Sequence, residues 1–178
     1  MLEIIQLCAK YEFELIPLVQ SFGHLEFVLK LHKFRHLREV DKYPTAVCPS
    51  NNASFTSLIK PIIDQVIQLH RQSGYPIRYI HIGGDEVFHI ARCQLCQSHD
   101  RDDLFLTHMR KVAQYVKNEH HLQPIIWDDM LRTVAEDKLS QLSHLVEIMV
   151  WSYIKDIYRF VSYFLVADKM CCTPCANC

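Results

Sequence analysis

Apolar and polar positions along the chain divide it into alternating helical and short extended pieces. Residues 2–10 have the spacing of a helix end, and Phe13-Glu14-Leu15-Ile16-Pro17-Leu18-Val19-Gln20 forms an extended run. Pro17 withholds one ladder N–H from that run. After the turn Ser21-Phe22-Gly23-His24 a helix is predicted over 25–40, then a proline-containing loop through Tyr43-Pro44 and Cys48-Pro49-Ser50. Leu58, Ile59, Ile62, Ile63, Val66, Ile67 and Leu69 form a helical stripe over 55–71, which Ser73-Gly74-Tyr75-Pro76 ends. A β-branched and aromatic run over 77–82 predicts the next strand, and Leu104, Leu106, Met109, Val112 and Val116 a helix over 103–120. Strands at 124–127 and 146–151 flank a predicted helix at 130–142. Such alternation of strand and helix implies an α/β fold with a parallel sheet, in either a barrel or a doubly wound form. Beyond about residue 160 the character changes to an apolar run at 160–167 and then a tail with Cys171, Cys172, Cys175 and Cys178.

Composition narrows the partners. With 19 Lys+Arg against 20 Asp+Glu, a net charge of −1 supplies no basic field for phosphate backbones, so nucleic acid is not an expected partner. At 49% hydrophobic and 22% charged, the 178 residues have the makeup of one globular domain, yet fall short of the roughly 250 typical of a closed (β/α)8 barrel. No run approaches the roughly 18 apolar residues that a membrane helix needs, so no membrane partner is expected. Met1–Gln6 has neither a basic start nor a sustained apolar core, so the expected location is cytoplasmic, with the nucleus as a second compartment.

The segment Tyr79-Ile80-His81-Ile82-Gly83-Gly84-Asp85-Glu86-Val87 carries the candidate chemistry. Inside a regular strand, adjacent side chains point to opposite faces, so Asp85 and Glu86 could not both address one pocket. At a strand end, two glycines relax that rule, and the C-terminal ends of parallel strands are where ligands bind. Two neighbouring carboxyls tend to separate in their proton affinity, because ionising one disfavours ionising the other, which suits one acid beside one charged partner. A solvated Asp-Glu pair opening a helix would have the same sequence.

His81-Ile82-Gly83-Gly84-Asp85-Glu86-Val87 resembles the signature of family 20 glycoside hydrolases, the β-N-acetylhexosaminidases, at the fourth strand of their barrel. Pro17–His24 resembles the third strand and its Gly-His turn, Ile126-Trp127-Asp128-Asp129-Met130 the fifth, and Val150-Trp151-Ser152-Tyr153 the sixth. The resemblance covers about residues 1–158. It implies a partial (β/α)8 TIM barrel over 1–160, holding about strands 3 to 6, followed by an atypical Cys-rich tail at 161–178. The implied chemistry is hydrolysis of terminal N-acetylhexosamine residues from a glycan or glycoconjugate by substrate-assisted retention, an exception to the ordinary two-carboxylate scheme. Glu86 would be the acid and then the base, and Asp85 would orient the substrate's acetamido group. His24, Trp127, Asp128 and Trp151 would bind substrate. Each has a plainer reading beside it: a turn histidine, two core tryptophans, and an Asp128-Asp129 helix cap. Family positions from the first and last barrel strands have no counterpart, which leaves a non-catalytic carbohydrate-binding or regulatory chain as the alternative; the oligomeric state stays open, with a homodimer completing the barrel as one candidate.

No cofactor is expected. Cys93-Gln94-Leu95-Cys96 and Cys172-Thr173-Pro174-Cys175 are two C-x2-C pairs, but the 75 residues between them far exceed the roughly 15–20 of a zinc ribbon. A metal site is therefore not predicted. Asn52-Ala53-Ser54 fits a glycosylation sequon that a chain without a leader would not expose to the machinery.

Overall fold

The computed structural model describes residues 2–153, so the apolar run and cysteine-rich tail expected at 161–178 lie outside the described residues. Three parallel strands form the centre in the order β3 (Tyr79–His81), β4 (Gln123–Trp127) and β5 (Glu147–Met149). Their registers pair Ile80 with Pro124 and Ile126 with Ile148. On the free side of β3, Leu18 makes a parallel bridge to His81, with the Val19 N–H donating to the His81 carbonyl at 2.8 Å and the His81 N–H to the Pro17 carbonyl at 2.9 Å. The strand expected over 13–20 is thus reduced to one bridging residue, as suits a segment whose Pro17 has no N–H to give. In space, the four segments follow their order in the chain. The architecture is α/β.

Helices connect them. α1 (Leu2–Lys10) precedes the Leu18 bridge. The predicted 55–71 helix is a wide turn at Ser54–Ile59 running into α3 (Lys60–Gln72), whose Ile63, Ile67 and His70 are buried. α4 (Arg101–Tyr115) begins at Asp100, whose carboxylate accepts the Asp102 and Asp103 N–H groups at 3.1 Å, and another wide turn at Val116–His120 extends it.

Two predicted helices are not present as such. Residues 25–40 break into α2 (Glu26–Leu29), a 3-10 turn (His32–Leu37) and β1 (Arg38–Val40). β1 pairs antiparallel with β2 (Tyr43–Val47), in the segment expected to be a loop. The apolar anchors of the predicted helix fall in two separate groups, Leu25, Val28 and Leu29 and then Leu37, and the Arg38 guanidinium donates to the Leu29 carbonyl at 2.6 and 2.9 Å, which holds the chain in its reversal. The predicted 130–142 helix is a 3-10 turn at Asp129–Leu131 and a single turn, α5 (Glu136–Leu139). There the Ser140 and Ser143 hydroxyls take the Asp137 and Ser140 carbonyls at 2.7 Å, local bonds that compete with helix continuation. Among the described residues no helix is long and apolar enough to cross a membrane.

The core brings together Ile80, Ile82 and Ile126 of the sheet region, Ile63 and Ile67 of α3, and Phe105 and Met109 of α4. Phe22 stacks on Phe105 at 5.8 Å and meets the His108 ring at 4.3 Å. The His108 Nε2–H donates to the Ser21 carbonyl at 2.8 Å, tying α4 to the turn that carries His24. Burial pushes the His108 imidazole down to about 4, and burial likewise pushes His81 down to about 4, against a small opposing pull from Asp85.

Both imidazoles are neutral when folded and have an ordinary value of 6.5 when unfolded. As pH falls through 6.5 toward 4, the unfolded chain binds protons that the folded chain refuses, so stability is lost over that window and is unaffected by these groups above it. Urea unfolding midpoints should drop between about pH 7 and about pH 5, and His108→Gln, whose amide can still donate to Ser21, should flatten the drop.

Candidate active site

The site lies beyond the C-terminal end of β3. Ile82 continues the ladder by donating to the Ile125 carbonyl at 2.8 Å, and the chain then turns through Gly83 (φ 71°) and Gly84 (φ 93°). A Cβ on Gly83 would lie 2.0 Å from Gln20 Oε1, and one on Gly84 2.8 Å from Met109 Cε. At Gly83 both space and backbone angle select glycine, and at Gly84 the backbone angle does, since the Met109 methyl can move aside. The Gly83 N–H donates to His81 Nδ1 at 3.0 Å, which leaves the His81 proton on Nε2, and the Gly83 carbonyl accepts the Trp127 N–H at 3.1 Å.

Asp85 and Glu86 follow on the turn, with Glu86 in the left-handed region at φ 49°. Its N–H donates to Asp129 Oδ2 at 2.9 Å. The side chains converge with that of His24, also left-handed at φ 53°, whose Nε2 lies 3.4 Å from Asp85 Oδ2 and 3.3 Å from Glu86 Oε2. Gln20 Nε2 donates to Asp85 Oδ1 at 2.9 Å, so both Asp85 oxygens face a polar partner. Asp85 is 18% exposed and Glu86 39%, so one carboxylate is held in and the other opens to solvent. Chemically, this arrangement sets an enclosed carboxyl group beside a second one that is open to a ligand or water.

The sequence-predicted residues divide. His24, Asp85 and Glu86 meet. Trp127, the last residue of β4, is partly buried against His81 with ring centroids 4.2 Å apart. Trp151, just past β5, is also partly buried; its Nε1–H donates to Asp129 Oδ1 at 3.1 Å, and the Arg132 guanidinium lies 5.4 Å from its ring centroid. Both tryptophans lie at the C-terminal end of the parallel sheet, as the Asp-Glu pair does. Asp128 differs from the expectation of a substrate contact. It is fully buried, its Oδ2 accepts Arg132 Nε–H at 2.7 Å, and its Oδ1 accepts the Trp151 N–H at 3.1 Å, so neither oxygen is offered to a ligand. Nor does its side chain cap the following turn. Its carboxylate ties Arg132 to the backbone just past β5.

Three contributors escaped the sequence. Gln20, Arg132 and the role of Asp129 depend on contacts 65, 19 and 43 positions away, which no local spacing shows. Asp129 is the more informative case, since one carboxylate bridges the Glu86 backbone and the Trp151 indole. Two groups of side chains bring possible metal donors together among the described residues: His24 with Asp85 and Glu86, and, separately, Glu39 with Cys48, Cys93 and Cys96. In the first, donors already engaged with His24 and Gln20 suit proton chemistry better than a closed ion site.

Comparison with known proteins adds an independent line. Residues 2–161 match the family described as "Glycosyl hydrolase family 20, catalytic domain". Hexosaminidase D of Homo sapiens is 40% identical over 164 residues, taking in 87% of this chain and 33% of that protein. Hexosaminidase D of Bos taurus is 38% identical over 164 residues, again 87% of this chain but 46% of that one. The chain thus spans less than half the length of these curated relatives. The crystal structure of a β-N-acetylhexosaminidase from Bacteroides fragilis NCTC 9343 superimposes with a TM-score of 0.68 at 21% identity, over 94% of this chain and 34% of that chain. At that identity the likeness speaks for the fold.

Two substitutions test this framework without touching the converging carboxylates. Asp128→Ala removes the acceptor of the Trp151 N–H and one of the acceptors of the Arg132 guanidinium, and should cost about 1–3 kcal/mol in urea unfolding. Gly83→Ala should cost about 1–2 kcal/mol for its left-handed backbone and push Gln20 away from Asp85. A Gly83→Ala melting curve that superimposes on the parent's would refute the crowding argument.

Proposed function

The chain belongs to glycosyl hydrolase family 20, and from that membership we propose that it carries the acid and its charged partner of an exo-acting β-N-acetylhexosaminidase. The observation that carries this reading is the convergence of Asp85 and Glu86 on one imidazole at the C-terminal end of a parallel strand. We read the four segments at Leu18, β3, β4 and β5 as consecutive strands, the third to the sixth, of a (β/α)8 barrel. Their spatial order supports this, since a doubly wound sheet reverses strand order at its switch point and these do not.

In the proposed reaction the substrate's own 2-acetamido oxygen attacks the anomeric carbon. The glycosidic C–O bond breaks as Glu86 delivers its proton to the departing oxygen, leaving an oxazolinium ion. Glu86, now a carboxylate, then takes a proton from the water that opens that ion, so the configuration is retained and the acid is regenerated. Asp85 accepts the acetamido N–H and faces the positive charge that grows on it. The difference in exposure supports this division. The more enclosed Asp85, held by Gln20, is suited to a fixed electrostatic task, and the more open Glu86 to exchange with leaving group and water. His24, within reach of both, would hold the two carboxylates on one side of the turn. Trp127 and Trp151 would wall the sugar, because flat apolar faces suit pyranose C–H surfaces.

On this reading the chain supplies four of eight barrel strands, so turnover is measured in a polypeptide that supplies all eight. Glu86→Gln should lower hydrolysis of an aryl N-acetylhexosaminide by about 10²–10⁴-fold, and less for substrates with good leaving groups. A plain β-glucoside should be hydrolysed very poorly, and a thiazoline mimic of the oxazolinium should inhibit tightly, with Asp85→Asn weakening it. Comparable rates on glucoside and N-acetylhexosaminide would reject substrate assistance. Binding of sugar without turnover would favour a carbohydrate-binding role instead.

A further inference from the structure

We propose that Cys48, Cys93 and Cys96, completed by Glu39, form a structural zinc site that fastens the loop carrying Asp85 and Glu86 to the β1–β2 hairpin. Cys48 Sγ lies 3.3 Å from Cys93 Sγ and 3.5 Å from Cys96 Sγ, all three being free thiols. One donor atom from each of the three cysteines and from Glu39 lies within 4.8 Å of every other. Tetrahedral zinc with bonds of about 2.3 Å to sulfur sets neighbouring sulfurs about 3.8 Å apart, so the thiols need move outward by only a few tenths of an ångström.

Glu39 points independently to an ion. It is 3% exposed, between two partly buried neighbours in β1. Its Oε1 accepts the N–H groups of Arg92 at 2.6 Å and Cys93 at 3.1 Å, while Oε2 is buried without a hydrogen-bond partner. A buried carboxylate oxygen with nothing to bind is costly, and a cation among the sulfurs would satisfy it. The two N–H groups on the other oxygen orient the carboxylate, as outer-shell partners of metal ligands do. The adjacent C-x2-C segment is already a closed turn, with the N–H groups of Cys96 and Gln97 donating to the Cys93 carbonyl at 3.0 and 2.9 Å. The sequence separated Cys93 and Cys96 from any third ligand, because the third ligand comes from the unpredicted hairpin.

The donor set chooses the ion. Three sulfurs exclude the hard cations Mg²⁺ and Ca²⁺, and a four-donor protein shell with no position reserved for substrate has the makeup of a structural zinc site. A Cys48–Cys93 disulfide would use two of the sulfurs and leave Cys96 and the Glu39 oxygen unexplained. An open cleft lined by Arg38, Glu39, Tyr43, His89 and Cys93 gives a route of entry.

The test uses the full chain, produced in zinc-supplemented medium and purified under reducing conditions without chelator. Metal analysis should find about one zinc per chain, and cobalt substitution should give the thiolate charge-transfer and intense visible bands of a tetrahedral site. Alkylation followed by peptide mapping, which works on small amounts of soluble protein, should find Cys48, Cys93 and Cys96 protected until a chelator is added, with Cys8 reactive throughout. Cys48→Ser combined with Cys96→Ser should abolish binding, Glu39→Gln should weaken it about tenfold or more, and serine at all four tail cysteines should leave it intact. Equal alkylation of the trio with and without zinc overturns the proposal, even if every variant fails to fold. So does zinc that survives in the Cys48→Ser, Cys96→Ser chain but is lost with the tail cysteines, or a Cys48–Cys93 disulfide in protein that takes up no metal after reduction.

Discussion

Two stretches of backbone that are far apart in sequence pass within contact distance at the end of β3, and the rest of the site depends on that approach. A Cβ on Gly23 would lie 2.9 Å from the Asp85 carbonyl oxygen, and a Cβ on Gly83 would strike Gln20. Only with glycine on both sides can the turn holding Gln20 and His24 lie flat against the turn holding Asp85 and Glu86. The Ser21 hydroxyl donates to the Ile82 carbonyl at 2.6 Å and fixes the alignment from beneath. The contacts of Gln20 and His24 with the carboxylates follow from this seating.

Three braces hold the pair of turns. From below, His108 on α4 donates to Ser21, and Phe22 packs between Phe105 and His108. From the far strands, Asp128, Asp129 and Arg132 connect the ends of β4 and β5 to the Glu86 backbone. From the side, the β1–β2 hairpin reaches both turns at once. Its Thr45 carbonyl accepts the Leu25 N–H at 3.0 Å, the Val47 N–H donates to Phe22 at 3.2 Å, and the Thr45 hydroxyl lies 3.1 Å from His89 Nδ1 beyond Glu86. The buried Cys48 and Glu39 belong to this third brace, which is why a metal there would bear on the geometry of the carboxylates without touching substrate.

The parallel strands were legible because both faces of β3 and β4 are covered, so they read as short apolar runs, and the paired glycines before Asp85-Glu86 announced a turn at a strand end. The hairpin was not legible. Its inward residue at β1 is Glu39, a charge where alternation calls for an apolar side chain, and β2 contains Pro44. The surroundings of Asp128 and the part played by Gln20 were not legible either. Spacing gives position along an element, whereas the burial of Asp128 is set by Arg132 and Trp151, and the usefulness of Gln20 by an Asp 65 residues later.

Two of the six left-handed non-glycine residues among the described residues lie where these dependencies meet. Glu86 and His24 are both left-handed non-glycine residues, and their side chains meet at 3.3 Å. Each such conformation costs on the order of 1–3 kcal/mol, and persists only where the surroundings over-determine it. For Glu86 the determinant is visible: its N–H is held by Asp129 at 2.9 Å, and its carbonyl accepts the Phe88 N–H at 2.8 Å. Glycine would relieve the strain but remove the carboxylate from its place beside His24. The left-handed turn also solves the alternation problem that adjacent Asp and Glu present. It rotates Glu86 out of the pleat onto the side already occupied by Asp85, which no extended backbone could do.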